Sequence, residues 1–211
     1  MEILSFDQLP STQKYLIDAL NEGRLSTPCA VIAREQSAGI GSRDNTWSGG
    51  EGNFFVSIAI SLDDLPSDLP LSSASIYFSY IMKQVLMEYH ENIWLKWPND
   101  FYLNDEKVGG TITRKVDQTL VCGIGINLKN EKNGYRSLGA DIQPELLLEK
   151  YLFALKKFPE WKEIFSVYRV EFELSRGFSV HIENLKMSLK DATLEEDGSL
   201  LIHGNKVYSL R

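Results

Sequence analysis

Short strand-like runs follow one another through the middle of the chain. Apolar, β-branched and aromatic residues predict strands at 93–97, 100–104, 107–114 and 119–127. The polar run 104–106 predicts a hairpin between the second and third strands. Because strands joined by so short a connection pair antiparallel, this stretch restricts the chain to folds with a largely antiparallel sheet.

Helical patterns and further strands surround this stretch. The first helix begins at Ser11-Thr12 and ends at Gly23, and Ser72 or Ser73 offers the cap of a later helix. Strands and helices in mixed order, with hairpins, favour an α+β fold with a mixed, largely antiparallel sheet and packed helices over a doubly wound parallel one. The further predicted elements are strands at 28–34 and 54–62 and helices at 72–91, 144–157 and 159–174.

The character of the sequence changes after Gly177. Short alternating runs predict further strands, with hairpin turns at Asp-Gly (197–198) and Gly-Asn (204–205). A segment this short buries too little surface to be stable alone, so we expect it to pack on the main domain as a small barrel-like cap. The sequence thus predicts a main domain at 1–174 and a small β domain at 175–211.

The charge pattern limits the partners of the chain. The formal net charge is −7, and no run of Lys or Arg is longer than a pair. A nucleic-acid surface needs clustered cations, so the composition argues against a nucleic-acid partner. The chain start lacks a basic region, and the apolar runs are too short to cross a bilayer. We therefore expect no membrane partner and a cytoplasmic location.

Cysteine and histidine residues show no metal or disulfide spacing. Cys29 and Cys122 each lie in an apolar run, which indicates buried free thiols in a reducing compartment. The three histidines are far apart in the sequence, so no metal-imidazole site is predicted.

A cation, a carboxylate and two glycines lie close together around the predicted hairpin. Lys107 can neutralise a phosphate on which charge builds up, and Asp100 can hold a metal ion. Gly109 and Gly110 allow a ligand to approach the backbone. The structural alternative is a lysine on a hairpin flank beside bulge glycines, with Asn99 and Asp100 in a turn. These residues alone leave both interpretations open.

Three other segments carry weaker signals of a ligand site. Residues 37–53 hold five of the fifteen glycines and predict a long loop, which inside a compact domain is usually functional or disordered. The glycines of the GxGxN pattern at 123–127 could leave room for the ring system of a ligand. Alternatively, they are only packing gaps in a strand. The Ser-Thr-Gln segment at 11–13 caps a helix, and a cap hydroxyl can also face a ligand.

Taken in order, these segments form one series. It consists of STQ at 11–13, the glycine-rich loop after Gln36, KWPND at 96–100, KVGG at 107–110 and GIGIN at 123–127. The series resembles the catalytic domain of biotin protein ligases over most of the chain, and the C-terminal strands look like the small SH3-like domain of that family. The resemblance implies a catalytic domain similar to class II aminoacyl-tRNA synthetases.

The resemblance implies an ATP-dependent ligase with two half-reactions. The carboxylate of biotin attacks ATP to give biotinyl-5′-AMP and pyrophosphate. A lysine of a biotin carboxyl carrier protein, from acetyl-CoA carboxylase or a similar carboxylase, then attacks the mixed anhydride. No Ser or Cys nucleophile is needed, and the sequence contains no such constellation. The implied substrates are biotin and ATP, the implied cofactor is Mg²⁺, and the chain could form a homodimer.

The resemblance also implies roles for individual residues. Lys107 would contact the biotin carboxylate and the α-phosphate, Asp100 would serve ATP and Mg²⁺, and both would be catalytic. The residues implied in binding biotin are Ser11, Thr12, Gln13, Gln36, Gly39, Ile40, Gly41, Ser42, Lys107, Gly109, Gly110, Ile112, Gly123 and Gly125. The residues implied in binding ATP or the adenylate are Arg43, Trp47, Trp97, Asn99, Asp100, Lys107 and Asn127.

The sequence departs from the family pattern in two places. The glycine-rich loop carries Ile40, Ser42 and Asn45 where the family has arginines, so Arg43 is its one cation. Neither Ser nor Asn replaces the bidentate phosphate grip of arginine. The STQ motif begins at Ser11, so we expect a ligase without the N-terminal helix-turn-helix module of bifunctional members.

Two other functions compete with this one. A lipoate-type ligase or acyltransferase of the same superfamily would share the adenylate chemistry, but KWPND and the absence of an Arg-Arg-x-x-Gly-Gly-Gly-like loop argue against it. A biotin sensor without turnover would not need the ATP-facing set of Lys107, Asp100 and Asn127.

The altered loop yields a first testable prediction. In the family, several arginines together retain the adenylate. We expect Arg43 to do this alone here. Arg43→Ala should weaken the coupling between biotin and ATP binding and raise the release of free biotinyl-5′-AMP, measured from the enzyme with labelled biotin. Unchanged adenylate retention in the variant would contradict this role.

Overall fold

The computed structural model describes residues 1–41, 46–129, 136–139, 141–182 and 185–208. Within these residues the main element is a sheet of eight strands. The strands are β1 (Glu2–Leu9), β2 (Cys29–Ile40), β3 (Thr46–Gly49), β4 (Phe54–Ser61), β5 (Ile93–Lys96), β6 (Asp100–Leu103), β7 (Glu106–Val116) and β8 (Thr119–Ile126).

The strand order is β1-β2-β4-β8-β7-β6-β5, with β3 paired to β2 alone. β1 runs parallel to β2, and the other pairs in this sheet are antiparallel. The helices are α1 (Thr12–Asn21), α2 (Ala74–Leu86), α3 (Pro144–Leu155) and α4 (Trp161–Glu171). The predicted α+β fold with a mixed, largely antiparallel sheet is therefore confirmed. No helix within the described ranges has the length and apolar content of a membrane span.

The two faces of the sheet carry different clusters. Because successive side chains of a strand point to opposite faces, Ala30 and Ile32 of β2 join a large cluster beneath α2 and α3, whereas Val31 faces a smaller one. The smaller cluster packs against α1 through Leu16 and includes Cys29. The start of α1 therefore lies over the face of the sheet opposite to the main core.

The predicted buried free thiols are confirmed. Cys29 and Cys122 are both buried and unpaired. Burial, with a smaller contribution from the charge of Glu2, raises the pKa of the Cys29 thiol to about 11. Burial also raises the pKa of the Cys122 thiol. Neither thiol is a nucleophile at neutral pH.

Several predicted boundaries are wrong. β2 runs to Ile40, and β3 begins at Thr46, so part of the predicted loop 37–53 is a strand pair. α2 ends at Leu86 instead of 91. β1 was not predicted, because it is an exposed edge strand with polar residues among its apolar ones and shows little of the burial pattern that marks a strand.

Ser73 stands at the N-cap position of α2, as predicted, but its side chain makes no cap hydrogen bond. Its hydroxyl donates instead to the carbonyl of Asp197. The hairpin turn predicted at 204–205 lies one residue earlier. Its two central residues are His203 and Gly204, both at positive φ, because Asn205 already pairs with Ile202 in the strands.

The C-terminal segment forms small sheets that pack on the main domain. Trp161 Nε1 donates to the carbonyl of Glu196 and Trp97 Nε1 to that of Gly198, each at 2.9 Å. Apolar residues of the segment, among them Leu200, belong to the main core cluster. The boundary between 174 and 175 stays a prediction. The strands are β9 (Ser179–Ile182), β10 (Leu185–Ser188), β11 (Thr193–Leu194), β12 (Leu200–Ile202) and β13 (Asn205–Val207).

A buried ion pair joins α2, α4 and β5. Lys83 Nζ lies 2.6 Å from Glu171 Oε2, with 8% and 10% of the two side chains exposed. Glu171 Oε1 also accepts the backbone N–H of Leu95 at 2.6 Å. Removing one partner would leave the other charge uncompensated in a site that water hardly reaches.

We expect Glu171→Ala to lower the free energy of unfolding by about 3–5 kcal/mol, measured by urea denaturation. The matched control is Asp18→Ala, which breaks the exposed Lys14–Asp18 pair and should change stability by at most about 0.5–1 kcal/mol. Equal losses in the two variants would contradict this account.

Candidate active site

A cavity opens on the α1 face of the sheet, between the start of α1 and strands β2, β3, β4, β6, β7 and β8. It brings together most of the residues that the sequence singled out. Its lining consists of Ser11, Thr12, Gln13, Gln36, Ile40, Gly41, Trp47, Val56, Ser57, Asn99, Asp100, Lys107, Gly110, Thr111, Ile112, Gly123, Ile124 and Gly125.

One end of the cavity is polar and uncharged. Ser11 is the N-cap of α1, and its hydroxyl accepts the backbone N–H of Lys14 at 3.3 Å. Gln36 Oε1 accepts from the Thr12 backbone N–H at 2.7 Å and from its hydroxyl at 3.0 Å. The Thr12 hydroxyl also lies 2.9 Å from that of Ser57. This network presents neutral donors and acceptors that are held in place, which suits a polar, uncharged ligand group.

The other end is charged. Lys107 Nζ lies 2.6 Å from Asp100 Oδ1, and Lys96 Nζ lies 3.8 Å from Asp100 Oδ2. A Cβ on Gly110 would stand 3.3 Å from Asp100 Oδ1 and 3.6 Å from Lys107 Nζ, so the glycine keeps this space open. About two fifths of the Lys107 side chain is exposed (38%), so its ammonium group is within reach of an anionic ligand.

A β-bulge brings Lys107 to the face of Asp100. Asp100 pairs with Gly110, but Tyr102 pairs with Lys107, so one extra residue of β7 stands opposite β6. Without it, Lys107 would pair with Leu103 and point to the opposite face, because side chains alternate along a strand. The bulge therefore decides that the lysine and the carboxylate meet.

Tyr102 lies beside this charged group but remains protonated. Burial, together with the nearby charge of Asp100, raises the pKa of the Tyr102 hydroxyl to about 12. Lys96 Nζ lies 5.7 Å from the centroid of its ring. Tyr102 is therefore a neutral neighbour of Asp100 at physiological pH and not a base.

Two glycines allow Trp47 to lie across the cavity. A Cβ on Gly125 would stand 2.6 Å from Trp47 Nε1, and one on Gly39 would stand 2.1 Å from the carbonyl oxygen of Trp47. The indole packs directly on β8, and Lys107 Nζ lies 5.7 Å from the centroid of its ring. In the described part of the chain, Trp47 Nε1 is buried and has no hydrogen-bond acceptor, so it is a donor that a ligand could use.

Four predicted site residues do not line the cavity. Gly39 and Gly109 give close backbone packing beside it, the latter against the carbonyl of Gly125. Trp97 is fully buried and bonded to the C-terminal segment. Asn127 donates from its side chain to the carbonyl of Arg136 at 3.2 Å. Their ligand roles stay predictions.

Two further predicted residues, Ser42 and Arg43, lie outside the described residues. Asn99 does line the cavity, and its side-chain amide donates to the carbonyl of Thr111.

Part of the lining was not predicted from the sequence. Val56, Thr111 and Ile124 belong to apolar or β-branched runs that carry no signal of a site. Ser57 did carry one, because it is a hydroxyl that interrupts the otherwise apolar strand β4 before Ser61. A buried polar residue needs a partner, and Thr12 is that partner.

Comparisons with known proteins agree with this geometry. The model of the Biotin/lipoate A/B protein ligase family matches residues 5–129. The bifunctional ligase/repressor BirA of Escherichia coli is 32% identical over 127 residues, 57% of this chain and 38% of that protein. The chain thus spans about two fifths of the length of this curated relative.

Solved structures match over nearly the whole chain. The biotin acetyl coenzyme A carboxylase synthetase of Helicobacter pylori, with bound biotinylated ATP, has a TM-score of 0.93 and 39% identity, covering 98% of this chain and 99% of that one. The biotin protein ligase of Aquifex aeolicus, in complex with biotin and ATP, has a TM-score of 0.77 and 23% identity, covering 100% and 96%. The latter likeness bears on the fold alone.

The packing of Trp47 on Gly125 can be tested by fluorescence. Gly125→Ala should push the indole off β8, increase acrylamide quenching and lower the free energy of unfolding by about 1–3 kcal/mol. The change in quenching should come mainly from Trp47, because the other three tryptophans, Trp94, Trp97 and Trp161, are buried and acrylamide reaches them poorly.

The control for this experiment is Gly177→Ala, where nothing lies within 4 Å of the added Cβ. Quenching in Gly125→Ala that matches this control would contradict the packing described here.

Proposed function

The chain belongs to the Biotin/lipoate A/B protein ligase family, and on this basis we propose that it is an ATP-dependent biotin protein ligase. It activates biotin as biotinyl-5′-AMP and transfers it to a lysine of a biotin carboxyl carrier protein. The observation that carries the proposal is that one cavity joins a neutral hydrogen-bonding end to a Lys107–Asp100 end. A ligand with an uncharged polar ring and a carboxylate fits that order.

The neutral end suits the ureido ring of biotin. The ring offers two N–H donors and one carbonyl acceptor, and Ser11, Thr12 and Gln36 supply partners of both kinds. Ser57 completes the set through its contact with Thr12. Ile112 and the missing side chain of Gly123 suit the apolar part of the ligand, since a Cβ on Gly123 would already be in contact with Ile112 Cγ1 at 3.4 Å.

The charged end suits the first half-reaction. As the biotin carboxylate attacks the α-phosphorus, negative charge builds up on the phosphate oxygens and pyrophosphate leaves. Lys107 stabilises this charge by turning its ammonium group from Asp100 to the ligand. Lys96 then remains beside the carboxylate, so Asp100 is not left as an isolated charge in a partly buried place.

A magnesium ion fits this site through one carboxylate. Within the described residues no group of three or more His, Cys, Asp or Glu side chains could hold a metal alone. Mg²⁺ commonly takes one or two carboxylates and completes its shell with water and nucleotide phosphates. Asp100 would hold it, and the bound ion would neutralise phosphate charge.

The second half-reaction needs no protein nucleophile. The amine of the carrier lysine attacks the carbonyl carbon of the mixed anhydride, an amide bond forms, and AMP leaves with the electrons of the broken bond. Trp47, lying over Gly125, covers the adenylate and keeps water from it. The carrier belongs to acetyl-CoA carboxylase or a similar carboxylase. A cytoplasmic location and a homodimer stay predictions.

A lipoate-type activity is the second candidate, because the family model includes both ligase types. Biotin raising the melting temperature more than lipoate would separate the two, since a ligand stabilises the state that it binds.

The main test is ATP- and Mg²⁺-dependent transfer of labelled biotin to a purified biotin carboxyl carrier domain. Lys107→Ala should reduce the rate by about 10²–10³, the scale of one lost transition-state donor. Lys115→Ala, which removes an exposed lysine of the same strand, is the control and should leave the rate unchanged. Pyrophosphate release without transfer would point to a different acceptor, and the absence of both would refute the ligase.

A further inference from the structure

Asn53 is a buried amide in the connection between β3 and β4. It is fully buried, and a buried polar group is costly unless it is hydrogen-bonded. Its Oδ1 accepts the backbone N–H of Leu128 at 2.9 Å and that of Lys129 at 3.1 Å. Its Nδ2 donates to the carbonyl of Gly50 at 3.4 Å. One side chain therefore joins the turn after β3 to the residues that follow β8.

A second contact joins the same two segments. Gly52 has φ +91°, and a Cβ there would stand 2.6 Å from Cδ of Lys129, so the lysine side chain lies directly across the glycine. On the far side of β8, the backbone N–H of Asn127 donates to the carbonyl of Val108 at 2.8 Å. The residues after β8 are thus fixed to β7 as well as to the turn after β3.

The position of β3 depends on such a contact. β3 pairs with β2 alone, and its pairing is irregular between Gln36 and Gly39. Pairing along one edge alone would not fix the angle between a four-residue strand and β2. Trp47 of this strand nevertheless packs so closely on Gly125 of β8 that a Cβ there would stand 2.6 Å from its Nε1. The hydrogen bonds of Asn53, to Gly50 after β3 and to Leu128 and Lys129 after β8, fix that distance.

We propose that Asn53 is a positioning residue that holds Trp47 over the adenylate-binding part of the cavity. Asn53 does not line the cavity and touches no substrate; it acts through β3. The proposal rests on the proposed function, because adenylate retention is one of its readouts. The other readout, the exposure of Trp47, does not depend on that function.

The test compares Asn53→Ala with Asp68→Ala. Asp68 is a matched control because its carboxylate also accepts two consecutive backbone N–H groups, those of Trp161 and Lys162, both at 3.0 Å. It does not line the cavity. Each variant leaves two N–H groups without their acceptor, so both should lose stability.

The variants should differ in their effects on Trp47 and on adenylate retention. Asn53→Ala should raise acrylamide quenching of Trp47 and speed the dissociation of biotinyl-5′-AMP about tenfold, the scale of a lost hydrogen bond. Asp68→Ala should keep the dissociation rate of the unchanged protein. The control for quenching is Gly177→Ala, because Asp68→Ala removes a hydrogen-bond acceptor of Trp161, which is itself fluorescent. Asn53→Asp keeps an oxygen acceptor for Leu128 and Lys129 but loses the donor to Gly50. It should show the same two changes, and it serves if the alanine variant does not fold.

Each outcome decides the proposal. Asn53 variants that lose stability but keep the quenching and adenylate retention of the unchanged protein would make Asn53 a structural residue only. An equal rise of the adenylate dissociation rate in Asp68→Ala would attribute the effect to lost stability and overturn the proposal as well. If the unchanged protein forms no adenylate, the proposed function fails, and the quenching comparison still decides whether Asn53 positions Trp47.

Discussion

The bulge between β6 and β7 is the constraint on which the charged end of the site depends. By placing Lys107 opposite Tyr102, it turns the lysine to the face that carries Asp100 and Gly110. A regular ladder would send the same ammonium group to the face of the main core, where a charge is costly. The ion pair at 2.6 Å and the contact of Lys107 with Trp47 both follow from this one irregularity.

The rest of the cavity depends on where the sheet lacks side chains. Gly123 and Gly125 of β8 lie in the middle of the sheet, and they leave the hollow in which the neutral network and Trp47 meet. Thr12 at the start of α1 supplies the polar edge of that hollow, because its helix packs on this face of the sheet. The site is therefore a gap in one face of a rigid sheet, which suits a reaction that depends on positioning.

Much of the fold and of the site could be predicted from the sequence. Apolar runs and a turn signal predict the 104–106 hairpin and the strand 119–127, and both are present. No such pattern marks β1, since its edge position leaves most of its side chains exposed. The sequence marks Ser73 as the cap of α2, but its hydroxyl donates to a carbonyl of the distant C-terminal segment instead of capping the helix. Contacts between segments far apart in the chain leave no local pattern to read.

The sequence by itself determined which chemical groups are present and in what order, because motifs such as KWPND and KVGG are local and the hairpin that joins them is short. The tertiary structure decided which of these groups meet. Asn127 and Trp97, equally prominent in the motifs, bond to Arg136 and Gly198 instead of lining the cavity. Ser57, in no motif, reaches Thr12. Strand pairing and the bulge set the face of each side chain, and a one-residue change in register reverses it.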